Sequence, residues 1–311
     1  MDIADRHALV TGGAGFVGSH LAEGLLSAGA AVTVLDDLSA GRRDWVPDGA
    51  AFIEADVNDT DTVEAAVSEA DFVCHLAAGK AVDAADPRSQ FEANIAGTYT
   101  ILEAMAAANV HHLLYTSSST VYGEAPRPTP EDHGPLEPIS AYGAGKLAEE
   151  GLVSTYAHSH GITARVVRFA NVVGPRLRGA VVPDFIQKLR ADPTELEILG
   201  DGRQQKSYLH VTDCVDAMVQ ILREVETAYA VYNLGTESTT AVTEIADTVA
   251  AAMNVDPAYR FTGGERGWTG DVPRMRLDIS KLRALGWTPA LESDAAIERA
   301  AHELIDELTE G

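Results

Sequence analysis

The chain has 311 residues, with 47 Asp plus Glu against 23 Lys plus Arg, and a formal net charge of −24 at pH 7. A protein this acidic repels nucleic acids and anionic membranes, so we exclude both classes of partner. No stretch reaches the apolar length of a membrane span and the N-terminus lacks a secretory pattern, so we expect a cytoplasmic protein.

The cysteines and histidines indicate neither a disulfide nor a metal site. Cys74 and Cys214 are far apart and have apolar neighbours, which is typical of packed thiols in a reducing compartment. The pairs His111-His112 and His158-x-His160 lack a well-placed third ligand, so we expect no metal.

The N-terminal segment has the pattern of a dinucleotide-binding turn. The apolar run Ala8-Leu-Val10 is followed by Gly12-Gly-Ala-Gly-Phe-Val-Gly18, an apolar helix pattern to residue 27 and a second apolar run that ends in Asp36. Small residues let the backbone approach a pyrophosphate, whose charge is favoured at a helix N-terminus. Asp36 is placed to accept hydrogen bonds from the adenosine ribose and to repel a 2′-phosphate, which favours NAD over NADP.

Strand-like runs alternate with helical stretches beyond this turn, which indicates a parallel sheet covered on both faces. We predict an α/β protein: a Rossmann doubly wound parallel sheet with a smaller, mixed α/β substrate-binding lobe. We expect the NAD-binding domain to span residues 1–171, with a returning segment near 205–235, and the lobe to span residues 172–311.

Tyr142 and Lys146 are four residues apart and lie on one face of a predicted helix. An ammonium group stabilises a nearby phenolate, which makes tyrosine a usable base near neutral pH. The pair alone is a weak signal. It becomes strong because a dinucleotide turn lies upstream and because Ser118, in a run of three serines, precedes the tyrosine by 24 residues.

Further motifs follow in a fixed order along nearly the whole chain. They lie at 11–21, 75–78, 94–98, 117–123, 142–146, 168–175, 200–202, 208–213, 232–235, 270–271 and 285–287. In these motifs the chain resembles the extended short-chain dehydrogenase/reductases, specifically the NAD-dependent sugar-nucleotide epimerases and dehydratases, and it is most similar to their UDP-hexose 4-epimerases. The motifs are more specific for the family than for the substrate.

The resemblance implies three catalytic residues. Tyr142 is the base, Lys146 holds the nicotinamide ribose and lowers the pKa of the tyrosine, and Ser118 hydrogen-bonds the reacting sugar oxygen. The turn and the resemblance together predict the NAD contacts Gly12, Gly15, Phe16, Val17, Gly18, Asp36, Asp37, Asp56, Val57, Leu76, Ala77, Ala78, Lys80, Asn94, Tyr142, Lys146 and Phe169.

The resemblance also implies a binding site for a nucleoside-diphosphate sugar. Its predicted contacts are Lys80, Ser118, Thr120, Tyr142, Asn171, Lys206, Tyr208, Arg266 and Asp271. The chain departs from the family pattern where Lys206-Ser replaces Arg-Asp and where Trp268-Thr replaces Arg-Pro. Lysine cannot copy the two-pronged phosphate contact of arginine, so the nucleotide and the sugar stay open. Arg266 is an alternative ligand of the diphosphate, and Trp268 either stacks on the substrate or packs a loop.

The residues after Ser118 decide which reaction the resemblance implies. All members remove a hydroxyl proton with the tyrosine while hydride leaves the same carbon for the nicotinamide. The dehydratases then place Asp-Glu where this chain has Ser119-Thr120, and the decarboxylases place a glutamate at the second of these positions. A UDP-glucose/UDP-galactose 4-epimerase needs no further acid, because its 4-keto intermediate rotates and takes the hydride back.

We therefore predict an NAD-dependent 4-epimerase. The alternatives are an NAD-dependent sugar or uronate dehydrogenase, another sugar-nucleotide-modifying enzyme of the family and a non-catalytic dinucleotide-binding protein. The family commonly dimerises through two helices of each subunit. The stretches 91–109 and 142–158 are rich in small residues, so we expect a homodimer that uses them.

The charge balance predicts stability that depends on salt. The basic residues are five lysines and eighteen arginines, and an acidic surface poor in lysine resembles that of proteins from salt-accumulating organisms. Because salt screens repulsion between like charges, the thermal midpoint measured by circular dichroism should rise between low and molar salt. A midpoint that stays constant or falls would contradict this.

Overall fold

The computed structural model describes residues 1–79 and 86–310, so Lys80 lies outside the described residues. The strands there are β1 (His7–Thr11), β2 (Ala31–Asp36), β3 (Ala51–Glu54), β4 (Phe72–His75), β5 (His112–Ser118), β6 (Thr163–Phe169), β7 (Asn171–Val173), β8 (Glu195–Ile198), β9 (Gln205–Lys206), β10 (Tyr208–His210), β11 (Tyr229–Leu234), β12 (Thr240–Ala241), β13 (Ala258–Phe261) and β14 (Arg274–Met275). The helices are α1 (Phe16–Ser27), α2 (Thr60–Ser68), α3 (Pro87–Ala108), α4 (Ala141–Ser159), α5 (Val181–Ala191), α6 (Val211–Glu224), α7 (Val242–Ala252), α8 (Ser280–Arg283) and α9 (Ser293–Glu310), with short 3₁₀ helices at Arg43–Trp45 and Ser119–Tyr122. Within this part of the chain, no helix is both long and apolar enough to cross a bilayer.

Seven strands form the central sheet in the order β11-β6-β5-β4-β1-β2-β3. β1 is parallel to both of its neighbours, β2 and β4, and the pairs β2–β3 and β4–β5 are parallel as well. The strand order runs outward from β1 in both directions, which defines a doubly wound sheet. The predicted α/β Rossmann fold is confirmed.

The inner strands β1, β2, β4, β5 and β6 are mostly buried apolar runs because helices pack on the sheet, whereas the edge strand β3 is partly exposed. On one face Leu9, Val73 and Leu113 pack in a single cluster with Ile101 of α3 and Val153 of α4. Each fully buried side chain of this kind contributes about 1.5–3 kcal/mol relative to an exposed one. The cluster therefore fixes α4, which carries the predicted base, against the sheet.

The chain divides into two compact units. Unit 1 comprises Met1–Val121, Ala141–Arg168 and Val215–Tyr232, and unit 2 comprises Tyr122–Ser140, Phe169–Cys214 and Asn233–Gly311. These bounds differ from the domains expected at 1–171 and 172–311. The segment 122–140 joins unit 2 because the backbone N–H of Thr129 donates to Arg276 (3.0 Å) and the hydroxyl of Tyr122 donates to Asn233 (2.8 Å).

The returning segment is also shorter than expected, at 215–232 rather than 205–235. The reason is strand pairing inside unit 2. β9 pairs with β12 and β14, and β10 pairs in parallel with β7. These ladders hold residues 205–210 in unit 2, and no local sequence pattern reports such long-range pairing.

Close backbone contacts require two glycines in the turn between β1 and α1. Gly12 has a φ of +68°, and a Cβ placed there would lie 2.7 Å from the backbone nitrogen of Ala77. A Cβ on Gly18 would lie 2.1 Å from the carbonyl oxygen of Gly12. Real Cβ atoms do not approach backbone this closely, so a larger residue at either position must displace the turn.

Gly18→Ala should therefore destabilise the protein by about 1–3 kcal/mol or more, because the backbone around Gly12 cannot yield without loss of packing. Urea unfolding would measure the loss. Gly151 in α4 is the matched control, since it is exposed and no neighbouring atom lies within 4 Å of its added Cβ. Gly151→Ala should stabilise by up to about 1 kcal/mol through helix propensity. Equal stability of the two variants would contradict the tight turn.

Candidate functional site

The turn at the end of β1 leaves the N-terminus of α1 open to an anion. The backbone N–H of Gly15 donates to Gly12 (3.1 Å), and that of Ser19 donates to Gly15 (3.0 Å). The N-cap residue is Gly15, which has no side chain to satisfy the first amides of the helix. These amides and the helix dipole favour a phosphate group, and the predicted contacts Phe16 and Val17 lie in this first turn.

Asp36 is anchored to the same turn. Its carboxylate accepts the backbone N–H of Ala14 (3.0 Å) and of Leu38 (2.9 Å). Burial raises the pKa of Asp36, and the two amides act against that rise. Asp37 is exposed and accepts the N–H of Ser39 (3.0 Å), so it caps the following loop. A glycine turn with an open helix end and a fixed carboxylate beside it fits a dinucleotide, and these residues would hold NAD.

The remaining predicted NAD contacts of unit 1 follow β3 and β4. Leu76, Ala77 and Ala78 come directly after β4, and the N–H of Ala77 donates to Thr11 Oγ1 (3.3 Å). Asn94 of α3 exchanges two hydrogen bonds with the backbone of Gly79, at 2.8 and 2.9 Å, and thereby holds the loop after β4.

Asp56 and Val57 differ in their surroundings, although they are adjacent. Asp56 is exposed and accepts the backbone N–H of Asn58 (2.9 Å). Val57 is partly buried beside α3, where it lies so close to Gly97 that a Cβ on that glycine would be 2.6 Å from its Cγ2. Lys80, the predicted pyrophosphate contact, belongs to the segment that the structure does not describe.

The predicted catalytic residues all lie in unit 1. Ser118 ends β5, and its Oγ accepts the N–H (3.2 Å) and the hydroxyl (3.0 Å) of Thr120. Tyr142 lies in the first turn of α4 and Lys146 lies one turn later. We expected Lys146 to lower the pKa of Tyr142. In the structure burial raises that pKa instead, and the charge of Glu149 adds to the rise.

The contribution of Glu149 to this pKa comes from its place beside Lys146. Its ammonium is 3 % exposed and donates to the hydroxyl of Tyr115 (3.2 Å) and to Oε2 of Glu149 (3.3 Å). The same carboxylate oxygen accepts hydrogen bonds from Thr98 (2.7 Å) and from Tyr115 (2.9 Å). Glu149 is fully buried, so the positive charge of the lysine faces a desolvated negative charge.

Sequence reasoning missed Glu149 and its neighbour Glu150. Glu150 forms a buried two-point ion pair with Arg168 (2.9 and 2.6 Å) and accepts a hydrogen bond from Ser117 (2.5 Å). This pair ties α4 to β5 and β6. The available signal was spacing, because both glutamates lie three or four residues after Lys146 on a helix whose face is otherwise buried.

Three residues from the substrate motifs lie together in unit 2. The ammonium of Lys206 is 2.5 Å from a carboxylate oxygen of Asp271 and 5.0 Å from the ring centroid of Trp268. Asp271 is buried, and its other oxygen accepts the N–H of Gly267 (3.0 Å). The ring of Trp268 contacts Lys206 and is still 44 % exposed, so one side of it is open to a ligand.

Tyr208 and Asn171 are brought together by the parallel ladder of β10 and β7, in which they are register partners. Burial raises the pKa of Tyr208, with a further contribution from Asp271, so its hydroxyl stays protonated. Phe169 is the last residue of β6 and lies two positions before Asn171. The structure thus places Asn171 and Tyr208 on paired strands of unit 2, and Lys206 lies in β9, two residues before Tyr208.

Arg266 is engaged by protein groups. Its guanidinium donates to the backbone oxygen of Asp271 and to the carboxylate of Glu124. These contacts join the loop that carries Trp268 to the segment 122–140 within unit 2. Arg266 and Lys206 thus both have protein acceptors, and both are candidates for a diphosphate contact.

The sequence and the fold are similar to those of known epimerases. Residues 8–235 match the sequence profile of the NAD dependent epimerase/dehydratase family. The chain is 36 % identical over 296 residues to the UDP-glucose 4-epimerase of Mycolicibacterium smegmatis, with 90 % of this chain and 93 % of the relative covered.

Two crystal structures are similar along nearly their whole length. One is a UDP-glucose 4-epimerase with UDP-glucose from Thermotoga maritima, with a TM-score of 0.89, 30 % identity and coverage of 98 % of this chain and 100 % of that one. The other is a UDP-glucose 4-epimerase from Thermus thermophilus in complex with NAD, with a TM-score of 0.86, 34 % identity and coverage of 95 % and 98 %.

Asp36→Asn should weaken NAD binding about tenfold or more, because a hydrogen bond to a charged group contributes about 1.5–3 kcal/mol. Loss of the negative charge should also raise the affinity for NADP relative to NAD. Calorimetric titration of nucleotide-free protein with both cofactors measures this. Asp61→Asn is the control and should bind like the wild type, because Asp61 is an exposed residue of α2. An unchanged NAD/NADP ratio in Asp36→Asn would contradict the role of Asp36.

Proposed function

The chain belongs to the NAD dependent epimerase/dehydratase family, and we propose that it interconverts UDP-glucose and UDP-galactose by inverting C4 of the hexose. The observation that carries this proposal is the composition of the turn after β5. Ser118, Ser119 and Thr120 carry hydroxyls only, and the Oγ of Ser118 is bonded to Thr120 rather than to an acid. Dehydration or decarboxylation in this family uses a carboxylate in this turn, whereas epimerisation does not.

In the proposed reaction Tyr142 removes the proton from the C4 hydroxyl of the hexose and Ser118 hydrogen-bonds that oxygen. NAD held at the glycine turn and Asp36 would supply a hydride acceptor that is regenerated in each cycle. Tyr142 then returns the same proton to the oxygen after the sugar has turned. Protons and electrons balance within one cycle, and this explains why the turn after β5 needs no second acid.

We assign the diphosphate contact to Lys206, because this cation lies in β9, two residues before Tyr208, whose strand pairs with that of Asn171. Trp268 packs on that ammonium and still exposes part of its ring, which supports stacking on the sugar or the base. Asp271 orients the lysine, and Arg266 holds the loop.

We also propose a cytoplasmic homodimer that is adapted to high salt. The reduced, buried Cys74 and Cys214 suit a reducing compartment, and the net charge of −24 suits high salt. α3 and α4 pack against each other in unit 1, and Tyr99 of α3, 48 % exposed, lies edge-on to Tyr156 of α4. An exposed aromatic side chain on two helices rich in small residues is suited to an interface between subunits.

The purified protein in molar salt should interconvert UDP-galactose and UDP-glucose without added NAD and without net formation of NADH. Chromatography of the products together with absorbance of the reduced nicotinamide measures both quantities. If no interconversion occurs, but NADH forms from a sugar or a uronate once NAD is supplied, the protein is a dehydrogenase. If it binds NAD and turns over no sugar nucleotide, it is a binding protein.

Tyr142→Phe should lower the rate of interconversion by a factor of about 10²–10⁴, the usual contribution of a general base. Tyr259→Phe is the matched control. Tyr259 lies in unit 2, where its hydroxyl bonds to Asp247 (2.6 Å), and loss of that hydroxyl should leave the rate unchanged. If the Tyr142→Phe protein retains the full rate of interconversion, Tyr142 is not the general base.

A further inference from the structure

Glu149 is a buried carboxylate in contact with the catalytic lysine, and the reaction proposed above does not use it. We propose that Glu149 is a positioning residue that holds the ammonium of Lys146 and thereby limits how strongly this ammonium stabilises the phenolate of Tyr142. This inference rests on the proposed function, in which Tyr142 is the base.

The contact geometry directs the carboxylate at the lysine. Oε2 accepts hydrogen bonds from Lys146 (3.3 Å), Tyr115 (2.9 Å) and Thr98 (2.7 Å), which come from α4, β5 and α3. The other oxygen, Oε1, is buried and has no hydrogen-bond partner within residues 1–79 and 86–310. Three donors on one oxygen fix the orientation of the carboxylate, so its charge stays on the side of Lys146.

Because Glu149 is buried, its negative charge acts on the pKa of Tyr142. Glu149 is 0 % exposed, and an interaction between charges is screened far less in such a place than in water. The charge of Glu149 contributes to the raised pKa of Tyr142, after burial itself. The carboxylate therefore opposes the ammonium, since one disfavours the phenolate and the other favours it.

The groups around the carboxylate come from several elements. Its own helix contributes Lys146, Tyr142 and Glu150, and Glu150 is paired with Arg168 of β6 (2.6 Å). β5 contributes Tyr115, whose pKa burial raises well above its ordinary value. α3 contributes the hydroxyl of Thr98, which bonds to His75 of β4 (3.0 Å). Burial, and then the charge of Lys146, lower the pKa of His75 to about 3, so the imidazole is neutral in the working range.

The direct test is a titration of Tyr142 in wild type and in Glu149→Gln, both saturated with NAD. The ultraviolet absorbance of tyrosinate is recorded during the titration. The same titration is run on each protein with Tyr142→Phe added, and its absorbance is subtracted, which leaves the signal of Tyr142 among nine tyrosines. Glutamine keeps an acceptor for Thr98 and Tyr115 and removes the charge. Tyr142 should then ionise about one pH unit or more lower than in wild type, which is the usual effect of a charge at this range.

The pH–rate profile gives a second readout that a purely structural role would not change. In Glu149→Gln the acid limb of the profile of turnover number against pH should shift to lower pH by the same interval. The maximal turnover number should decrease, because a more acidic phenol is a weaker base. Glu149→Asp keeps the charge and should titrate like wild type. Glu103→Gln is the control, because Glu103 is an exposed glutamate of α3 that bonds to Tyr156.

Coincident titrations of wild type and Glu149→Gln would overturn the inference, as would an equal shift in Glu149→Asp. If Glu149→Gln does not fold, Glu149→Ala is titrated in its place, with the same shift expected. If Glu149→Gln shows the tyrosinate shift and the wild type has no epimerase activity, the proposed function alone is refuted. Active protein without the shift refutes this inference alone.

Discussion

The site in unit 1 depends on one buried ammonium, that of Lys146. A lysine that loses its water needs a partner of opposite charge, because an unpaired buried charge costs several kcal/mol. Glu149 supplies that charge, and Tyr115 and Thr98 satisfy the oxygen that faces the lysine. The pairing that makes the lysine tolerable in the core also opposes its stabilisation of the Tyr142 phenolate. Burial, and then the charge of Glu149, raise the pKa of Tyr142.

The central sheet positions the residues around Lys146 and Tyr142. In a parallel sheet the carboxyl ends of neighbouring strands share one edge. Thr11, His75 and Ser118 are the last residues of β1, β4 and β5, which are adjacent strands. The glycine turn opens the start of α1 to a phosphate at that edge, and the apolar cluster on the sheet fixes α4 there. The ion pair of Glu150 and Arg168 then ties α4 to β6.

Much of this could be predicted from the sequence because the signals are local. The strand–turn–helix pattern around Gly12 and Gly18 needs only a few consecutive residues, and the alternation of strands and helices specifies the doubly wound sheet. Tyr142 and Lys146 could be paired from the sequence because residues four apart lie on one face of a helix. Their catalytic roles follow from the family resemblance and not from this spacing.

Features that depend on long-range contacts could not be predicted in the same way. The hydrogen bonds of Glu149 come from Thr98 and Tyr115, which lie 51 and 34 positions away in sequence, so spacing on α4 alone could not predict them. The segment 122–140 looks like a loop of the first domain, yet Thr129 pairs with Leu277 in unit 2. The acceptors of Arg266 are equally invisible in sequence, since Glu124 lies 142 positions away.

The central claim is that the hydrogen removed from C4 of the hexose returns to the same carbon. It is tested most directly with UDP-galactose that carries deuterium at C4, incubated with the protein in molar salt and analysed by mass spectrometry and NMR. We expect UDP-glucose that retains its deuterium at C4, with no deuterium gained by the solvent. UDP-glucose with hydrogen at C4, or deuterium accumulating in released NADH, would contradict it.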